Sequence, residues 1–506
     1  MNTIPTPEAR VRRVVIAGGG TAGWMAAACL SHTLGPLLDI TLVESDEIGT
    51  VGVGEATIPT LFTFHNLLEI DEREFMAATG ATFKLGIRFE NWRQLGDAYI
   101  HSFGLTGKDH WTAGFQHFWL EGQKRGLSRD YGAYCLELRA AEENRFAHLP
   151  RGGMNYAFHL DATRYGQYLR RRAEARGVKR VEGRIGEVQL NPANGDIAAL
   201  QMADGRRIEG DLFIDCTGFR ALLIGEALGV PYEDWRHWLP CDRALAVPTP
   251  STGPAVPYTR AIAHEAGWRW RIPLQHRVGN GVVYASRHIS DERAREILLG
   301  AIDGEPLAEP RPLRFVPGQR HEVWRKNCVA IGLASGFIEP LESTSIHLIQ
   351  RGLIRLMQMF PSQGIAPADV AEYNRQAQAE IEHIRDFVIL HYHLTERDDS
   401  PFWNHCRTMA LPEGLRHRIA LFRESARVFR VPNELFAENS WIQVMLGQGV
   451  LPQDHHPTPR LMNDAELEAF LERIRSEVSR TLARLPEHEG YVRGLSLIHI
   501  SQGIVR

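Results

Sequence analysis

Short strand-like runs that end in glycine turns recur along the first two thirds of the chain. Residues 11–17 (VRRVVIA) form one such run, the turn GGGTAGW follows, and residues 25–34 then show a helical pattern. A second apolar run, residues 40–43, ends at Glu44. Strand, turn, helix and strand in this order are typical of a parallel sheet with helices on its faces.

Two later segments repeat this pattern. Residues 211–218 (DLFIDCTG) and residues 328–332 (CVAIG) are buried-strand patterns that run into a glycine. Strands that lie far apart in sequence but share this pattern predict one sheet assembled from separated segments, with insertions between them. We therefore expect an α/β fold.

The pattern changes after about residue 365. Residues 368–394 and 464–485 carry long helical patterns. In the second of them, Asn463 followed by Glu466 predicts a capping box at the start. The apolar positions of that helix form one stripe, which consists of Leu467, Phe470, Leu471, Ile474, Val478 and Leu482. The sequence thus predicts a mainly helical C-terminal region.

Composition narrows the class of protein. The chain has 506 residues, of which 44% are hydrophobic and 23% charged, so we expect a globular protein of two or three coupled lobes. A net charge of -4 argues against nucleic acid or an anionic membrane as partner. No apolar run approaches the roughly 20 residues of a membrane helix. The first strand begins too early to leave room for a signal peptide, so we expect a cytoplasmic protein.

Cysteines and histidines give no indication of a metal site. The six cysteines are scattered and include no CxxC pair, which is typical of buried thiols in a reducing compartment. His391 and His393 lie two positions apart on a predicted helix, which places them on different faces. The neighbouring pair His455 and His456 is interpreted as structural or surface histidines, and no metal is expected.

The first glycine turn carries a dinucleotide-binding pattern. Gly18, Gly20 and Gly23 are spaced as GxGxxG between a predicted strand and a predicted helix, where such glycines let the backbone approach a pyrophosphate. Glu44, at the end of the next strand, is placed to bind a ribose hydroxyl, although it is alternatively a plain surface carboxylate. This unit alone leaves FAD and NAD open. Because no second GxGxxG follows a strand, FAD with electrons delivered from outside is favoured.

Four segments together resemble one enzyme family. They are the fingerprint at residues 18–23, GEATIP at 54–59, GWRWRIP at 267–273, which contains a WxWxIP motif, and FIEPLESTS at 337–345. Lys84, in the sequence FKLG, stands where this family has a catalytic lysine. On these segments the chain resembles the flavin-dependent halogenases of the tryptophan-halogenase family. Without the resemblance, each of these residues has a simpler interpretation. Trp268 and Trp270 would be core residues, Lys84 would be a solvated side chain, and Glu342 would be a charge near the start of a helix.

The resemblance implies a fold and a division of the chain. The fold is an FAD-binding, Rossmann-type, flavin monooxygenase-like α/β fold with a mainly helical C-terminal region. Residues 1–365 would form the FAD-binding domain with substrate-side insertions, residues 366–490 the helical substrate region, and residues 491–506 a disordered or non-native tail. The expected FAD-binding residues are Gly18, Gly20, Thr21, Ala22, Gly23, Glu44, Ala56 and Gly332.

The resemblance also implies a reaction. Reduced FAD, supplied by a separate NAD(P)H-dependent flavin reductase, reacts with oxygen and a bound halide to give hypohalous acid, which Lys84 and Glu342 guide to an aromatic ring. The halide would lie at Thr344 and Ser345, although the family commonly has glycine where Ser345 stands. The motif residues Trp268, Trp270, Ile272 and Pro273 would keep the substrate away from the flavin.

The substrate is expected to be an indole or an indole-containing compound. By resemblance, His101 and Phe103 would sandwich the ring and Trp441 would close the opposite side. Tryptophan-specific members also use a paired tyrosine and a glutamate in the C-terminal region to bind the amino acid. Because no Tyr-Tyr pair is present here, a less decorated indole or a larger indole-bearing molecule is favoured over free tryptophan. The protein is expected to be a monomer or a homodimer. The alternatives are a single-component flavin hydroxylase and a non-catalytic flavin-binding protein.

Overall fold

The structure is a computed structural model that describes residues 10–47, 54–150, 153–361 and 363–503, with side chains up to residue 495. The chain divides into two compact units, each built from three separate segments. The first unit comprises Met1–Gly80, Leu160–Arg236 and Arg314–Glu382. The second unit comprises Ala81–His159, His237–Leu313 and His383–Arg506.

The helices and strands are named here in chain order. The helices are α1 Thr21–Leu34, α2 Leu61–Leu67, α3 Glu72–Thr79, α4 Phe115–Lys124, α5 Leu136–Glu142, α6 Ala162–Glu174, α7 Asp291–Leu299, α8 Ser345–Gln358, α9 Pro367–His393, α10 Pro401–Thr408, α11 Glu413–Ser425, α12 Glu438–Gly447, α13 Asp464–Leu482 and α14 His488–Gly503. The strands are β1 Arg13–Ala17, β2 Asp39–Glu44, β3 Gly54–Ala56, β4 Thr82–Lys84, β5 Gly86–Glu90, β6 Ala98–Ser102, β7 Ala157–Asp161, β8 Lys179–Glu182, β9 Ile185–Leu190, β10 Ile197–Met202, β11 Arg207–Glu209, β12 Leu212–Asp215, β13 Tyr232–Asp234, β14 Arg243–Thr249, β15 Tyr258–His264, β16 Gly267–Pro273, β17 Val278–Tyr284, β18 Arg311–Arg314, β19 Gly318–Arg320, β20 Trp324–Arg325, β21 Cys328–Ala330 and β22 Gly336–Phe337.

A six-stranded sheet in the order β20-β21-β12-β1-β2-β8 is the framework of the first unit. Strands β21, β12, β1, β2 and β8 are parallel neighbours. Their apolar residues are buried on both faces, as parallel sheets require. Because β12 and β21 come from segments far along the chain from β1, the prediction of one sheet assembled from separated segments is confirmed.

The first helix begins earlier than its apolar pattern indicates. The sequence predicts a helix over residues 25–34, whereas α1 spans Thr21–Leu34. The glycine turn ends at Gly20, which is the residue before the helix, and Gly23 already lies within its first turn. Small and apolar residues from Gly23 to Ser31 are buried, so nearly the whole helix surface is packed.

A buried histidine makes the first unit sensitive to acid. His65 is 4% exposed, its Nε2 lies 3.0 Å from the hydroxyl of Tyr165, and its ring packs edge-on against Phe75. Burial, and secondarily the nearby Arg172 guanidinium, lower the pKa of His65 to about 3. The native imidazole therefore stays neutral at pH values where the unfolded chain takes up a proton.

We expect this difference to cost stability in acid. The contribution of the neutral His65 is fully present above the unfolded pKa of about 6.5 and is lost as the pH falls towards 3. At pH 4.5 the loss amounts to about 3 kcal/mol. Urea unfolding at pH 7 and pH 4.5 measures it. His65→Phe should flatten the loss, whereas the same change at the exposed His417 should leave it as it is. An equally steep loss in all three proteins would contradict this account of His65.

A seven-stranded sheet in the order β18-β14-β17-β16-β15-β5-β6 is the framework of the second unit. All its pairs from β14 to β6 are antiparallel except β15 with β5. The WxWxIP motif forms the centre of this sheet, because it occupies β16. A short antiparallel pair, β4 with β7, carries Lys84 opposite Ala157.

The described part of the chain after residue 365 contains helices and no strand, which confirms the mainly helical C-terminal region. Helix α13 has the predicted capping box: the Asn463 side chain accepts from Glu466 N–H, and the Glu466 side chain accepts from Asn463 N–H. Within the predicted stripe, Leu467, Leu471 and Ile474 are buried with Leu482. Among the described residues, no helix combines the length and apolar character needed to span a bilayer.

The three-part division of the chain stays a prediction. Helix α14 runs through most of the segment that was expected to be a tail. Residues 504–506 lie outside the described residues, as do the side chains from residue 496 onward.

Candidate functional site

The glycine fingerprint of the first unit has the backbone geometry that a bound dinucleotide requires. Gly18 has φ +107°, and a Cβ there would overlap the carbonyl oxygen of Cys216 at the end of β12. A Cβ on Gly23 would overlap the carbonyl oxygen of Gly18, so α1 packs directly on the turn. A Cβ on Gly20, by contrast, would have no atom of the described residues within 4 Å. Gly20 therefore borders open space at the N-terminus of α1.

This open space is suited to a pyrophosphate. No side chain caps the N-terminus of α1, so the backbone N–H groups of its first turn, including those of Thr21 and Ala22, are available to an anion. Gly332, with φ +71°, follows β21 and lies close to the start of α1. A Cβ added at Gly332 would lie 2.9 Å from the Cβ of Ala22. The residues on the chain thus fit FAD, and the fold brings Gly332 to the fingerprint although the two are far apart in sequence.

Glu44 lies beside the same turn. A Cβ on Gly19 would overlap its carboxylate, and Arg180 on β8 donates to the carboxylate from Nε at 2.6 Å. Arg170 on α6 lies 3.6 Å from the same oxygen. Glu44 is therefore held at the end of β2, beside the glycine turn, and its role as a ribose ligand stays a prediction. Sequence reasoning missed Arg180 and Arg170, because neither belongs to a motif. The pairing of β8 with β2 brings Arg180 to Glu44, and Arg170 reaches it from α6.

The segment GEATIP lies in the first unit next to residues 48–53, which are outside the described residues. It begins with the short strand β3, in which Ala56 is 6% exposed. Burial raises the pKa of the neighbouring Glu55 to about 7. Beyond it, the Thr60 hydroxyl lies 2.9 Å from Nδ1 of His347 on α8. The segment is therefore linked by a hydrogen bond to the helix that follows Thr344 and Ser345.

Gly20→Ala tests whether the open space holds the cofactor. Because nothing in the described chain meets the added Cβ and the backbone at Gly20 is extended, the variant should fold with an unchanged melting temperature. Its FAD affinity should fall about tenfold or more, because the methyl group keeps the pyrophosphate from the backbone. Quenching of FAD fluorescence on titration measures this. Gly166→Ala, on α6 and equally free of contacts, is the control. Equal FAD affinities in all three proteins would contradict the assignment.

The FIEPLESTS segment forms a tight turn into α8. Pro340–Glu342 is a single 3-10 turn, and Ser343 follows with φ +60° before α8 starts at Ser345. The Glu342 side chain is fully buried. Thr344 is 1% exposed, and its hydroxyl oxygen has no hydrogen-bond partner among the described residues. A buried hydroxyl beside the first N–H groups of a 14-residue helix is suited to a small anion.

Ion pairs stabilise α8 behind this turn. Glu380 on α9 accepts hydrogen bonds from Arg351 at 2.8 Å and from Arg355 at 2.5 Å, both on α8. Despite burial, hydrogen bonding and charge from His347, Arg355 and Arg351 bring the pKa of Glu380 down to about 2. Because this carboxylate stays charged, it fixes the helix whose N-terminus carries Thr344 and Ser345.

Lys84 lies in the second unit. It is the last residue of β4, is 0% exposed, and its Nζ lies 5.1 Å from the ring centroid of Phe103. A fully buried lysine is rare, and a cation above an aromatic face is attracted by the ring quadrupole. Phe103 itself is half-buried, and its backbone N–H donates to the carbonyl oxygen of Leu85. Lys84 ends β4 and Phe103 follows β6, and the fold brings the two side chains together.

The WxWxIP motif is connected to the Lys84 strand. Trp268, Trp270 and Ile272 are buried on one face of β16, as their alternation predicts, and a Cβ on Gly281 would overlap the Trp270 ring. At the end of the motif, Pro273 accepts a hydrogen bond from the Thr82 hydroxyl at 2.7 Å. The motif residues are therefore packed in the sheet core.

The same Thr82 lies at one end of a short hydrogen-bonded chain. His159 contacts the Thr82 hydroxyl through Nδ1 at 3.2 Å and the Thr259 hydroxyl through Nε2 at 3.0 Å. Because Thr82 gives its proton to Pro273, His159 must donate from Nδ1 and accept at Nε2. Burial, with the Lys84 charge as a further cause, lowers the pKa of His159 far below its ordinary value, so it is neutral. Sequence reasoning missed His159, which lies in a strand with no recognisable motif.

Two of the predicted aromatic substrate residues, His101 and Trp441, lie in one cluster of the second unit, whereas the ring of Phe103 contacts Lys84. The ring of His101 packs edge-on against Phe387 at 5.5 Å, and Phe387 packs edge-on against Trp441 at 4.8 Å. Trp441 is 2% exposed. Its indole N–H donates to Glu434, and the Arg418 guanidinium lies 4.0 Å from its ring centroid. Sequence reasoning did not find Phe387 and Phe436, which stack at 3.9 Å and form the centre of the cluster.

The histidine pairs are engaged in packing and hydrogen bonds. His391 stacks on Phe89, with its Nδ1 2.9 Å from the Tyr99 hydroxyl, and His455 lies 2.9 Å from Glu121. The described residues contain no group of three or more His, Cys, Asp or Glu side chains that could hold a metal ion. All six cysteines are buried, and none of them forms a disulfide.

Comparisons with known proteins agree with this arrangement. The tryptophan halogenase family model matches residues 13–464. Tryptophan 7-halogenase RebH of Lentzea aerocolonigenes is 36% identical over 491 residues, which are 89% of this chain and 92% of that protein. The structure of Xcc4156, a flavin-dependent halogenase from Xanthomonas campestris, has a TM-score of 0.95 and 67% identity, and covers 96% of this chain and 98% of that chain.

A second solved structure gives the same result. BrvH, a flavin-dependent halogenase from Brevundimonas sp. BAL3, has a TM-score of 0.92 and 45% identity, over 96% of this chain and 99% of that chain. The family model covers most of the chain and therefore both the fingerprint and the helical C-terminal region. Neither the hydroxylase nor the non-catalytic carrier is favoured by these matches. The chain therefore belongs to the tryptophan halogenase family, and it is an enzyme, a flavin-dependent halogenase.

Proposed function

We propose that this enzyme uses FADH2 and oxygen to chlorinate or brominate an electron-rich aromatic compound, indole or a molecule that contains indole. The observation that carries the proposal is the fully buried Lys84, whose ammonium lies over the half-buried ring of Phe103. A flat aromatic substrate stacks on such a ring. The same ammonium then stands next to both the substrate and any oxidant that it binds.

Reduced FAD, when bound at the glycine fingerprint, supplies with oxygen the oxidising equivalents that turn a halide into hypohalous acid. The FAD would be held by the fingerprint and its neighbours, which are Gly18, Gly20, Thr21, Ala22, Gly23, Glu44, Ala56 and Gly332. Thr344 and Ser345 would bind the halide through the buried Thr344 hydroxyl and the first N–H groups of α8. Ser345 replaces a glycine that is common in the family, and at the first position of the helix it still presents its N–H.

Lys84 and Glu342 would act on the second half of the reaction. In that step the ring carbon bonds to the halogen while the halogen–oxygen bond breaks, and the ring proton, accepted first by Glu342, combines with the released hydroxide to give water. Lys84 is a point-charge donor that holds the oxygen of the hypohalous acid. The buried carboxylate of Glu342 would stabilise the cationic ring and accept its proton. The packed residues Trp268, Trp270, Ile272 and Pro273 would keep the substrate away from the flavin.

The polar groups near the aromatic cluster favour a less decorated indole over free tryptophan. Relatives of this chain are named as tryptophan 7-halogenase and tryptophan 6-halogenase. Here Glu434, which is 1% exposed, binds Arg418 in a bidentate pair and accepts the Trp441 N–H. A carboxylate so engaged does not bind the ammonium of an amino acid. The half-buried ring of Phe103 offers apolar surface to an indole, whereas His101 and Trp441, both 2% exposed, would line the site from within the packed cluster.

The electrons would come from a separate NAD(P)H-dependent flavin reductase, because the sequence contains no second GxGxxG for a nicotinamide cofactor. We further propose a cytoplasmic enzyme that is a monomer or a homodimer. Neither nucleic acid nor a membrane is a proposed partner, and no metal is required.

Mass spectrometry of an indole incubation tests the proposal. The mixture contains the protein, FAD, an NADH-driven flavin reductase, oxygen and bromide or chloride. The expected product carries the halogen isotope pattern and forms only when the reductase is present. Turnover with NADH in the absence of a reductase, giving a hydroxylated product, would indicate the hydroxylase alternative. A protein that binds FAD and leaves indole unchanged with the reductase, bromide and chloride all present would indicate the carrier.

A further inference from the structure

Two amide side chains on α12 hold the backbone of the segment that carries Phe103. Asn439 and Gln443 are four residues apart on this helix and therefore lie on the same face. Between them they make five hydrogen bonds to residues 102–106. No motif in the sequence marks either residue.

The hydrogen bonds enclose Phe103 on both sides. Ahead of it, Oε1 of Gln443 accepts from the Ser102 backbone N–H at 2.9 Å and from the Ser102 hydroxyl at 3.2 Å. Behind it, the Gly104 carbonyl oxygen accepts from Nδ2 of Asn439 at 2.7 Å and from Nε2 of Gln443 at 3.1 Å. Asn439 also accepts from the Thr106 N–H at 3.1 Å. The chain around Phe103 therefore has little freedom to shift.

The buried side chains of Cys135 and Glu137 pack against the same segment, residues 102–106. A Cβ on Gly104 would lie 2.7 Å from Sγ of Cys135 and would overlap the Glu137 carboxylate. Sγ of Cys135 also lies 3.2 Å from the Ser102 hydroxyl. Gly104 is thus tightly packed between Cys135, Glu137 and the two amide side chains. A rotation of its carbonyl group would break both amide hydrogen bonds. Gln443, at 5% exposure, belongs to this buried layer.

We propose that Asn439 and Gln443 are positioning residues, which fix the Phe103 ring relative to the Lys84 ammonium and thereby set how an aromatic substrate presents its carbons for halogenation. This inference rests on the proposed function, because it assigns Phe103 to the substrate wall. An ammonium 5.1 Å from the ring centroid leaves room for small displacements, and these change which substrate carbon faces it. A misplacement of about 1 Å far from the reacting atoms is enough to affect rate and selectivity.

The test uses the holoenzyme with flavin reductase, bromide and an excess scavenger of free hypobromous acid, so that only bromination on the enzyme is counted. Gln443→Leu and Asn439→Ala remove the amides, and Asn439→Asp keeps the acceptor for Thr106 but loses the donor to Gly104. Gln448→Leu is the matched control, because the buried Gln448 donates at 2.8 Å to a different backbone carbonyl, that of His391. The substrates are indole, for KM and kcat, and phenol, for the ratio of ortho to para product.

Both amide-removing variants should raise KM for indole about tenfold and shift the ortho-to-para ratio, while FAD binding and hypobromous acid production stay at the level of the unaltered protein. Asn439→Asp should fall between the unaltered protein and Asn439→Ala, and Gln448→Leu should change neither KM nor the ratio. An unchanged KM and ratio in Gln443→Leu and Asn439→Ala would overturn the inference. So would a fall in hypobromous acid production as large as the fall in indole bromination. An unaltered protein that makes neither bromoindole nor brominated scavenger would instead refute the proposed function.

Discussion

Lys84→Met is expected to reduce bromination of indole on the enzyme by about a hundredfold or more. The methionine fills nearly the same buried volume above Phe103 but removes the charge and the donors that hold the hypohalous acid, and the loss of one such group costs roughly 10²–10⁴ in rate. FAD binding and oxidation of reduced flavin should persist, because Lys84 is not part of the glycine fingerprint. Product is measured by mass spectrometry with a scavenger of free hypobromous acid present.

The control for this change is Lys108→Met, which removes a lysine that is exposed on the same unit. Its rate should match that of the unaltered protein. If Lys84→Met retained half or more of the bromination under scavenging, Lys84 would not be the group that holds the oxidant. The melting temperature of each variant, measured alongside, distinguishes a lost function from a lost fold.

Glu342→Gln is expected to lower kcat for indole by about a hundredfold. Glu342 is fully buried in the turn before α8, so the amide keeps its size and hydrogen-bonding capacity but removes the negative charge and the proton acceptor. A smaller effect on KM is expected, because the charge matters most as the ring becomes cationic. Steady-state kinetics over a range of indole concentrations give kcat and KM separately.

Glu322→Gln on the surface of the same unit is the matched control and should change neither constant. A Glu342→Gln variant whose KM rises while its kcat stays constant would contradict the role given to this carboxylate. Such a result would mean that Glu342 binds substrate and reacting ring equally well.

The framework of the first unit could be predicted from local pattern, because each of its central strands is a buried run that ends in a glycine turn or at Glu44. The parallel neighbours β1, β2, β12 and β21 follow directly from that pattern. The start of α1 could not be predicted in this way, because the glycines and small residues before Met25 give no helical periodicity. The local pattern also does not predict that each unit is built from three separate segments of the chain, because this depends on which distant segments pair in the same sheet.

The candidate site shows a similar division. Spacing and order predicted the fingerprint and Glu44, and the resemblance added the WxWxIP strand, Lys84, Glu342, Thr344 and Ser345 as predictions. Partners that act through space were not found. Arg180 reaches Glu44 only because β8 pairs with β2, and His159 reaches Thr82 only because β7 pairs with β4. Long-range pairs of this kind leave no local signal in a single sequence, so they became visible only in the fold.

We propose that this chain keeps hypohalous acid at Lys84 until the aromatic ring is halogenated. Titration of the scavenger during indole bromination by the unaltered protein distinguishes an oxidant held on the enzyme from one that is free in solution. We expect the yield of bromoindole to stay nearly constant as the scavenger rises to a large excess over indole, whereas the small yield of Lys84→Met disappears. A yield from the unaltered protein that falls in proportion to the scavenger would show that the oxidant is free in solution, and that no residue of this chain guides it.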